Sequence, residues 1–275
     1  MSKTPKFKDS KTAVVIIAWN SGCFLDACLS SVLSLECRQL DVWVVENGSR
    51  DNTGEILRRY AERHDNCHPI WEMENLGTTQ SRNKALRQID SDTDYVVVLD
   101  SDTVVNQDAF EAMAKTLSDD GSIGVVGPTM MTTGGEEQLS GRNLPTLSLK
   151  IAKACPFGNF AKKASDSEVP KNDVVNGIQD VGYLLAACWM MTKSTLDTVG
   201  LLDEKIFYSP EDVDWCVRCH ISGLRVVRCY DARITHEYQR LSHKKLISKT
   251  NLEHTKGLLY YFKKYKSFFR APDFG

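Results

Sequence analysis

The sequence predicts an α/β protein with a mostly parallel central sheet flanked by helices, and three observations carry that prediction. Short apolar runs, AVVIIA at 13–18, DVWVV at 41–45 and YVVVLD at 95–100, each stop abruptly at polar or turn-forming residues, as strands buried on both faces do. Between them apolar residues recur at helical spacing, as in Leu25, Cys28, Leu29, Val32 and Leu33. Strand and helix therefore alternate, the pattern of right-handed βαβ units.

In chain order, residues 1–11 are polar and read as a flexible tail. The first strand, 13–18, ends at Trp19-Asn20-Ser21-Gly22, a sharp turn into the first helix. The second strand ends at Glu46-Asn47-Gly48-Ser49, and Asp51-Asn52-Thr53 can cap a helix over 54–63. A short third strand at 69–73 leads to Asn75-Leu76-Gly77 and a helix over 79–89 that carries Arg82 and Asn83. The central strand follows, then a helix over 104–118 and a strand at 123–127.

From 131 to 175 the pattern loosens: Gly134-Gly135, Pro145, Pro156 and Gly158 interrupt it, which predicts an irregular excursion with short helices. Order returns at 181–192, VGYLLAACWMMT, a buried segment, followed by a short helix at 194–199 with Gly200 at its C′ position. Ser209 reads as an N-cap with Pro210 at the first helical position, and Glu211 and Asp212 fall in the first turn. Asp214 and Arg218, four apart, read as a structural ion pair. Short strands at 224–227 and 232–235 lead to His236, and 241–275 is a basic, aromatic helical extension. The main body is expected to be one domain over 12–240, with halves at 12–130 and 176–240 on either side of the excursion.

Bulk numbers bound the partners. The chain has 275 residues, 42% hydrophobic and 25% charged, with a formal net charge of -2, so a nucleic-acid partner gets no global electrostatic support. No apolar run approaches a membrane span, and the N-terminus lacks a signal-peptide core, so a cytoplasmic protein is expected. Nine cysteines are then most simply reduced thiols packed as small hydrophobes. Cys216-Val-Arg-Cys219-His220 fits a haem-attachment pattern, and Cys216, Cys219 and Cys229 with a histidine could in principle hold zinc. Against both, the pattern lies inside a predicted helix and no second close pair completes a zinc finger.

The chemistry concentrates at LDSD. Side chains two apart on a strand share a face, so Asp100 and Asp102 project together past the carboxyl end of a central strand, where open α/β sheets bind ligands. Two carboxylates there suit a hard divalent cation, which commonly brings a phosphate with it. No GxGxxG or GxxxxGK[ST] is present, so a metal rather than a glycine loop would neutralise that phosphate.

These motifs, in this order, resemble the family 2 inverting glycosyltransferases of the GT-A fold. WNSGCFLDACLSSV is similar to that family's opening nucleotide loop, VVENGSRDNT to its second strand and turn, ENLGTTQSRNKAL to its base-contacting segment, and LDSD to its Asp-x-Asp motif. VGLLDEKIFYSPEDVDWCVR with GLRVVRCYDARITH looks like the subset that includes bacterial rhamnosyltransferases.

The resemblance implies a donor site of Ala18, Trp19, Asn20, Glu46, Arg82, Asp100 and Ser101. It places Mn2+ or Mg2+ on Asp102 and His236, Asp212 as catalytic base, and Glu211 beside it positioning the acceptor. Glu46 departs from the family's usual aspartate and reaches one methylene further, and Ala186 stands where close relatives often have glycine. The implied partners are a nucleotide-diphosphate sugar and a glycan or lipid-linked acceptor used in cell-surface polysaccharide synthesis. Residues 255–275 read either as a helix packed on the domain or as a contact with the inner face of a membrane. A sugar nucleotidyltransferase and a non-catalytic nucleotide-sugar-binding protein are the rival readings. The first wants a glycine-rich basic loop where WNSGCF stands; the second leaves Asp102, Asp212 and His236 unexplained.

Overall fold

In a computed structural model, residues 4–154, 158–237 and 249–274 are described. The elements run β1 (Lys11–Ala18), α1 (Leu25–Leu33), β2 (Gln39–Asn47), α2 (Thr53–Ala61), β3 (Cys67–Glu72), α3 (Thr78–Leu86), β4 (Tyr95–Asp100), β5 (Thr103–Val104), α4 (Gln107–Asp119) and β6 (Ile123–Met131). There follow β7 (Glu137–Gln138), β8 (Gly141–Arg142), α5 (Leu147–Ala154), α6 (Gly158–Asp166), β9 (Ile178–Asp180), β10 (Tyr183–Leu184), β11 (Cys188–Thr192), α7 (Lys193–Val199), α8 (Glu211–Ile221), β12 (Arg225–His236) and α9 (Lys249–Tyr265).

The main sheet has the order β3-β2-β1-β4-β11-β6-β12-β5. Its first four strands are parallel, but β11 lies antiparallel between β4 and β6, and β5, β7 and β9 are antiparallel additions. The sheet is thus parallel in its first half and mixed in its second. The parallel pattern was inferred from strand–helix alternation, which ends after β6.

Alternate residues of β1 face opposite ways, and each side has its own core. Val14, Ile16 and Ala18 pack with α1, α2 and α4, including Leu29, Leu57 and Phe110. Val15 faces α3, α7, α8 and α9, including Leu86, Leu196, Trp215 and Phe262. Helices therefore cover both faces, and the strands have to be apolar throughout.

Several local expectations change. The described part of the N-terminal segment is not a frayed tail. Phe7 opens a short 3-10 helix, is 2% exposed and packs edge-on against Phe110, while Lys11 already belongs to β1. One aromatic anchor outweighs the polar composition around it. Residues 103–104 form β5 rather than the start of α4, whose N-cap is Asn106, accepting from Ala109 N. The segment 181–192 is two strands, β10 and β11, split at 185–187. Helix α8 starts at Glu211 with Pro210 as N-cap, so Ser209 does not cap it. The two short strands before His236 are one long strand, β12, with a register break between Cys229 and Arg233. The excursion holds α5 and α6, as expected of it. Residues 238–248 of the C-terminal extension lie outside the described residues; its helix α9 buries Tyr261 and Phe262 completely.

Candidate functional site

Strand order reverses between β1, whose successor β2 lies on one side, and β4 on the other. The crevice at the carboxyl ends of such strands is where α/β sheets take ligands. Ala18, Trp19, Asp100 and Ser101 all come from those two ends.

The first loop is held by the second. Asn20 takes a positive φ of 50, donates its N–H to Ser49 Oγ at 3.0 Å and accepts at Oδ1 from Arg50 N at 2.9 Å. Ser21 Oγ and Ser101 Oγ share a hydrogen bond of 2.7 Å, tying the loop after β1 to the loop after β4. Asp51 ties the same loop from the other side, accepting from Gly22 N and from Thr53. Ala18 is buried, while Trp19 is 41% exposed and presents a large aromatic surface at the rim. Glu46 is 8% exposed and accepts from Ser49 N through Oε1 at 2.7 Å.

Asp100, Asp102 and His236 converge. Each offers a ligand atom, and these atoms lie within 4.8 Å of one another. The fold brings them together by pairing β12 with β5, His236 opposite Thr103, so the histidine arrives beside the Asp-x-Asp turn. His236 Nε2 stands 3.4 Å from Asp102 Oδ1. On its other side, Nδ1 meets Gln138 Oε1 at 2.8 Å, and Gln138 Nε2 donates to the His236 carbonyl at 2.8 Å. Gln138 accepts through a carbonyl oxygen, so it holds the proton on Nδ1 and turns Nε2 toward the carboxylates. Burial disfavours the imidazolium, yet the hydrogen bond and charge of Asp102, with Asp100 behind it, hold His236 above its ordinary value. Two carboxylates and one imidazole form a donor set that fits Mn2+ or Mg2+. Asp100 thus joins the potential ligands, beside the donor-site place the resemblance implies.

Arg82 links this cluster to α8. Its guanidinium is buried and donates from Nη2 to Asp100 Oδ1 at 2.5 Å and to the Ala186 carbonyl at 3.2 Å, and from Nη1 to Glu211 Oε1 at 3.1 Å. A side chain 2% exposed with its terminal nitrogens so engaged is a bridge under the site. The resemblance implies an arginine near the nucleobase; here both terminal nitrogens of Arg82 are engaged by protein groups. Asp212, next to Glu211, accepts at Oδ1 from Val213 N. Burial, then the Asp212 charge, pushes the Glu211 carboxyl up to about 8. Burial also raises Asp212, partly opposed by the Val213 N–H and by Arg82, Lys150 and Arg142.

Sequence reasoning missed Gln138, Arg142, Lys150 and Glu168. All lie in the irregular excursion, where no periodicity marks a position as special. Cys216 and Cys219 are buried in the core on one side of the sheet and Cys229 in the core on the other, so these three do not meet.

The glycosyl transferase family 2 model matches residues 13–166. Among curated relatives, glycosyltransferase GlyA of Streptococcus pneumoniae is 31% identical over 109 residues, covering 40% of this chain and 15% of that one. Poly-beta-1,6-N-acetyl-D-glucosamine synthase of Staphylococcus aureus is 30% identical over 112 residues, covering 41% and 26%. The chain therefore matches about a quarter or less of the length of these relatives. GalNAc-T7, solved with UDP, GalNAc and Mn2+, superposes with a TM-score of 0.67 at 13% identity, over 92% of this chain and 48% of that one. A mannosyltransferase of Pyrobaculum calidifontis, solved with GDP-Man and Mn2+, gives 0.62 at 18% identity, over 96% and 66%. The fold is the α/β GT-A type of these neighbours.

Proposed function

The chain belongs to glycosyl transferase family 2, and from that premise we propose that it moves a sugar from a nucleotide-diphosphate donor to an acceptor hydroxyl by one inverting displacement. The observation that carries this reading is the continuous link from Asp102 and His236 through Asp100 and Arg82 to Glu211 and Asp212. It supports a reading in which a cation site and a carboxylate base serve one reaction centre.

Asp100, Asp102 and His236 would hold the cation, which when bound supplies Lewis-acid stabilisation of the departing diphosphate. Trp19 and Glu46 stand at the end where the nucleoside would rest. Asp212 takes the proton of the acceptor hydroxyl as that oxygen attacks the anomeric carbon. The bond to the diphosphate breaks on the opposite face, so configuration inverts and no enzyme nucleophile is needed. A raised carboxylate value brings the base closer to working pH, which favours general-base catalysis. Glu211, raised by burial and by the Asp212 charge, is held by Arg82 beside the proposed base.

Rhamnose heads the donors to try, beside UDP-GlcNAc and GDP-Man, the donors named for solved neighbours. A glycan or lipid-linked acceptor fits a relative that makes a polysaccharide. No helix among the described residues is long and apolar enough to cross a membrane. Peripheral contact with an anionic membrane falls to the outer surface of the C-terminal extension, where Leu259, Phe268 and Phe269 are exposed among basic residues. Co-sedimentation with anionic vesicles should drop when Phe268 and Phe269 become serine; unchanged binding removes that contact.

A panel of nucleotide sugars with Mn2+ or Mg2+, scored for thermal stabilisation and released nucleoside diphosphate, tests the activity. Release of pyrophosphate instead would indicate nucleotidyl transfer, and no stabilisation by any donor sinks the reading. Asp212→Asn should keep donor binding and lose about 10²–10⁴-fold in turnover; full turnover excludes Asp212 as base.

A further inference from the structure

Glu168, at the end of the excursion, is 3% exposed and holds three cations at once. Arg142 Nη1 donates to it at 3.1 Å, Lys150 Nζ at 3.1 Å and Lys153 Nζ at 2.6 Å. Among the described residues no second carboxylate pairs with any of the three, so the cluster carries an excess of positive charge. One cation would neutralise one buried acid, and gathering further like charges beside it is unfavourable without another anion. The three cationic side chains are 28%, 30% and 31% exposed, so most of their N–H donors are uncommitted and open to solvent.

The cluster stands next to the proposed base. Arg142 is the register partner of Tyr183 on β10, and α8 packs on β10. Arg142 and Lys150 both act on the charge of Asp212. A neutral sugar hydroxyl does not call for such a surplus; a phosphate oxyanion does, since it accepts several charge-assisted hydrogen bonds at once.

We propose that Arg142, Lys150 and Lys153, organised by Glu168, form an anion subsite beside Asp212 that receives a phosphate group of the acceptor. The word acceptor rests on the glycosyltransferase reading; binding of the anion does not. The phosphate could belong to a phosphodiester-linked glycan or to a lipid diphosphate, and the chemistry at the subsite is the same.

The test is calorimetric titration of the full chain with inorganic phosphate, at low ionic strength and with divalent cations chelated. Wild-type protein should bind phosphate saturably. Lys150→Met and Lys153→Met should each weaken it about tenfold or more, and Asp102→Asn should leave it unchanged. Equal affinity in wild type and both lysine variants overturns the proposal. So does loss in Asp102→Asn with retention in the lysine variants, which would seat the phosphate at the donor end. Should the variants fail to fold, lysine acetylation of wild type decides: phosphate should protect Lys150 and Lys153, and equal labelling overturns the subsite. Once a donor is known, Lys150→Met should raise KM for a phosphorylated acceptor without changing donor KM. Comparing a phosphodiester glycan with a lipid diphosphate identifies the source. Failure of the activity would show as absent donor binding and would leave the phosphate titration standing.

Discussion

At the scale of single residues, the site is a set of side chains whose states are fixed by neighbours. Gln138 never meets the reaction in the proposed mechanism, yet it exchanges two hydrogen bonds with His236 and so sets which ring nitrogen faces the carboxylates. Gln138→Leu should lower metal affinity by about 10–100-fold, read from the Mn2+ dependence of diphosphate release or of thermal stabilisation; an unchanged Mn2+ response would show that the imidazole orients without it. Glu211 carries a pH signature. Its ordinary value is 4.5 and in the folded chain it is pushed up to about 8. Between those values the folded protein binds a proton that the unfolded chain has released, so stability is full at low pH and is lost as pH rises through about 8. Asp100, Asp212 and His236 are raised as well and act with the same sign. The melting temperature should fall across that window, and Glu211→Gln should flatten the fall; an identical slope in the variant refutes the assignment. Asp100 and Asp102 were legible in the sequence because the apolar run of β4 ends at Asp100, although Asp102 lies in the turn beyond the strand rather than on its face. Gln138 was not, because it meets His236 across 98 residues and sits in a stretch without periodicity.

At the scale of elements, the helix bearing the proposed base is held in place by the C-terminal helix. Asp214, fully buried one turn into α8, receives Arg218 at 3.0 Å, Lys264 at 2.6 Å and the Tyr265 hydroxyl at 2.8 Å. The sequence revealed the Asp214–Arg218 pair through its i,i+4 spacing. The two partners from α9 were invisible to it, being 50 and 51 residues away. Asp214→Ala strips Arg218 and Tyr265 of their carboxylate and leaves Lys264 only Asp203, and should cost about 1.5–3 kcal/mol, measured by urea denaturation. A loss below about 1 kcal/mol, the range of exposed pairs, would mean that α9 is not locked there. The same contact explains Gly257. A Cβ at that position would stand 2.1 Å from the Ser209 carbonyl oxygen, so α9 can lie against the chain entering α8 only because position 257 has no side chain. The aromatic residues of the tail, read from sequence as either core or membrane contact, divide accordingly: Tyr261 and Phe262 are core, while Phe268 and Phe269 face out.

At the scale of the whole molecule, each of the two hydrophobic cores draws on residues from both the early and the late part of the chain. The core on one side of the sheet runs from Phe7 and Val14 to Val227 and Ile234; the core on the other runs from Val15 and Val45 to Trp215 and Phe262. β11, from the second half, is hydrogen-bonded into the sheet beside β4 of the first, and Arg82 joins α3 to α8 beneath the site. Alternating strands and helices made the parallel first half readable. The insertion of β11 between β4 and β6 was not readable, because an apolar strand buried on both faces carries no mark of its direction or neighbours. Removing residues beyond 130 would take β11 off β4 and expose Val97 and Leu99 together with the face that meets Trp189. The halves are therefore expected to fold as one cooperative unit. Urea transitions followed by far-UV circular dichroism and by tryptophan fluorescence should coincide, and a fragment of residues 1–130 should fail to give a cooperative transition. Two resolved transitions, or a folded fragment that binds nucleotide by itself, would show that the donor half owns a separable core.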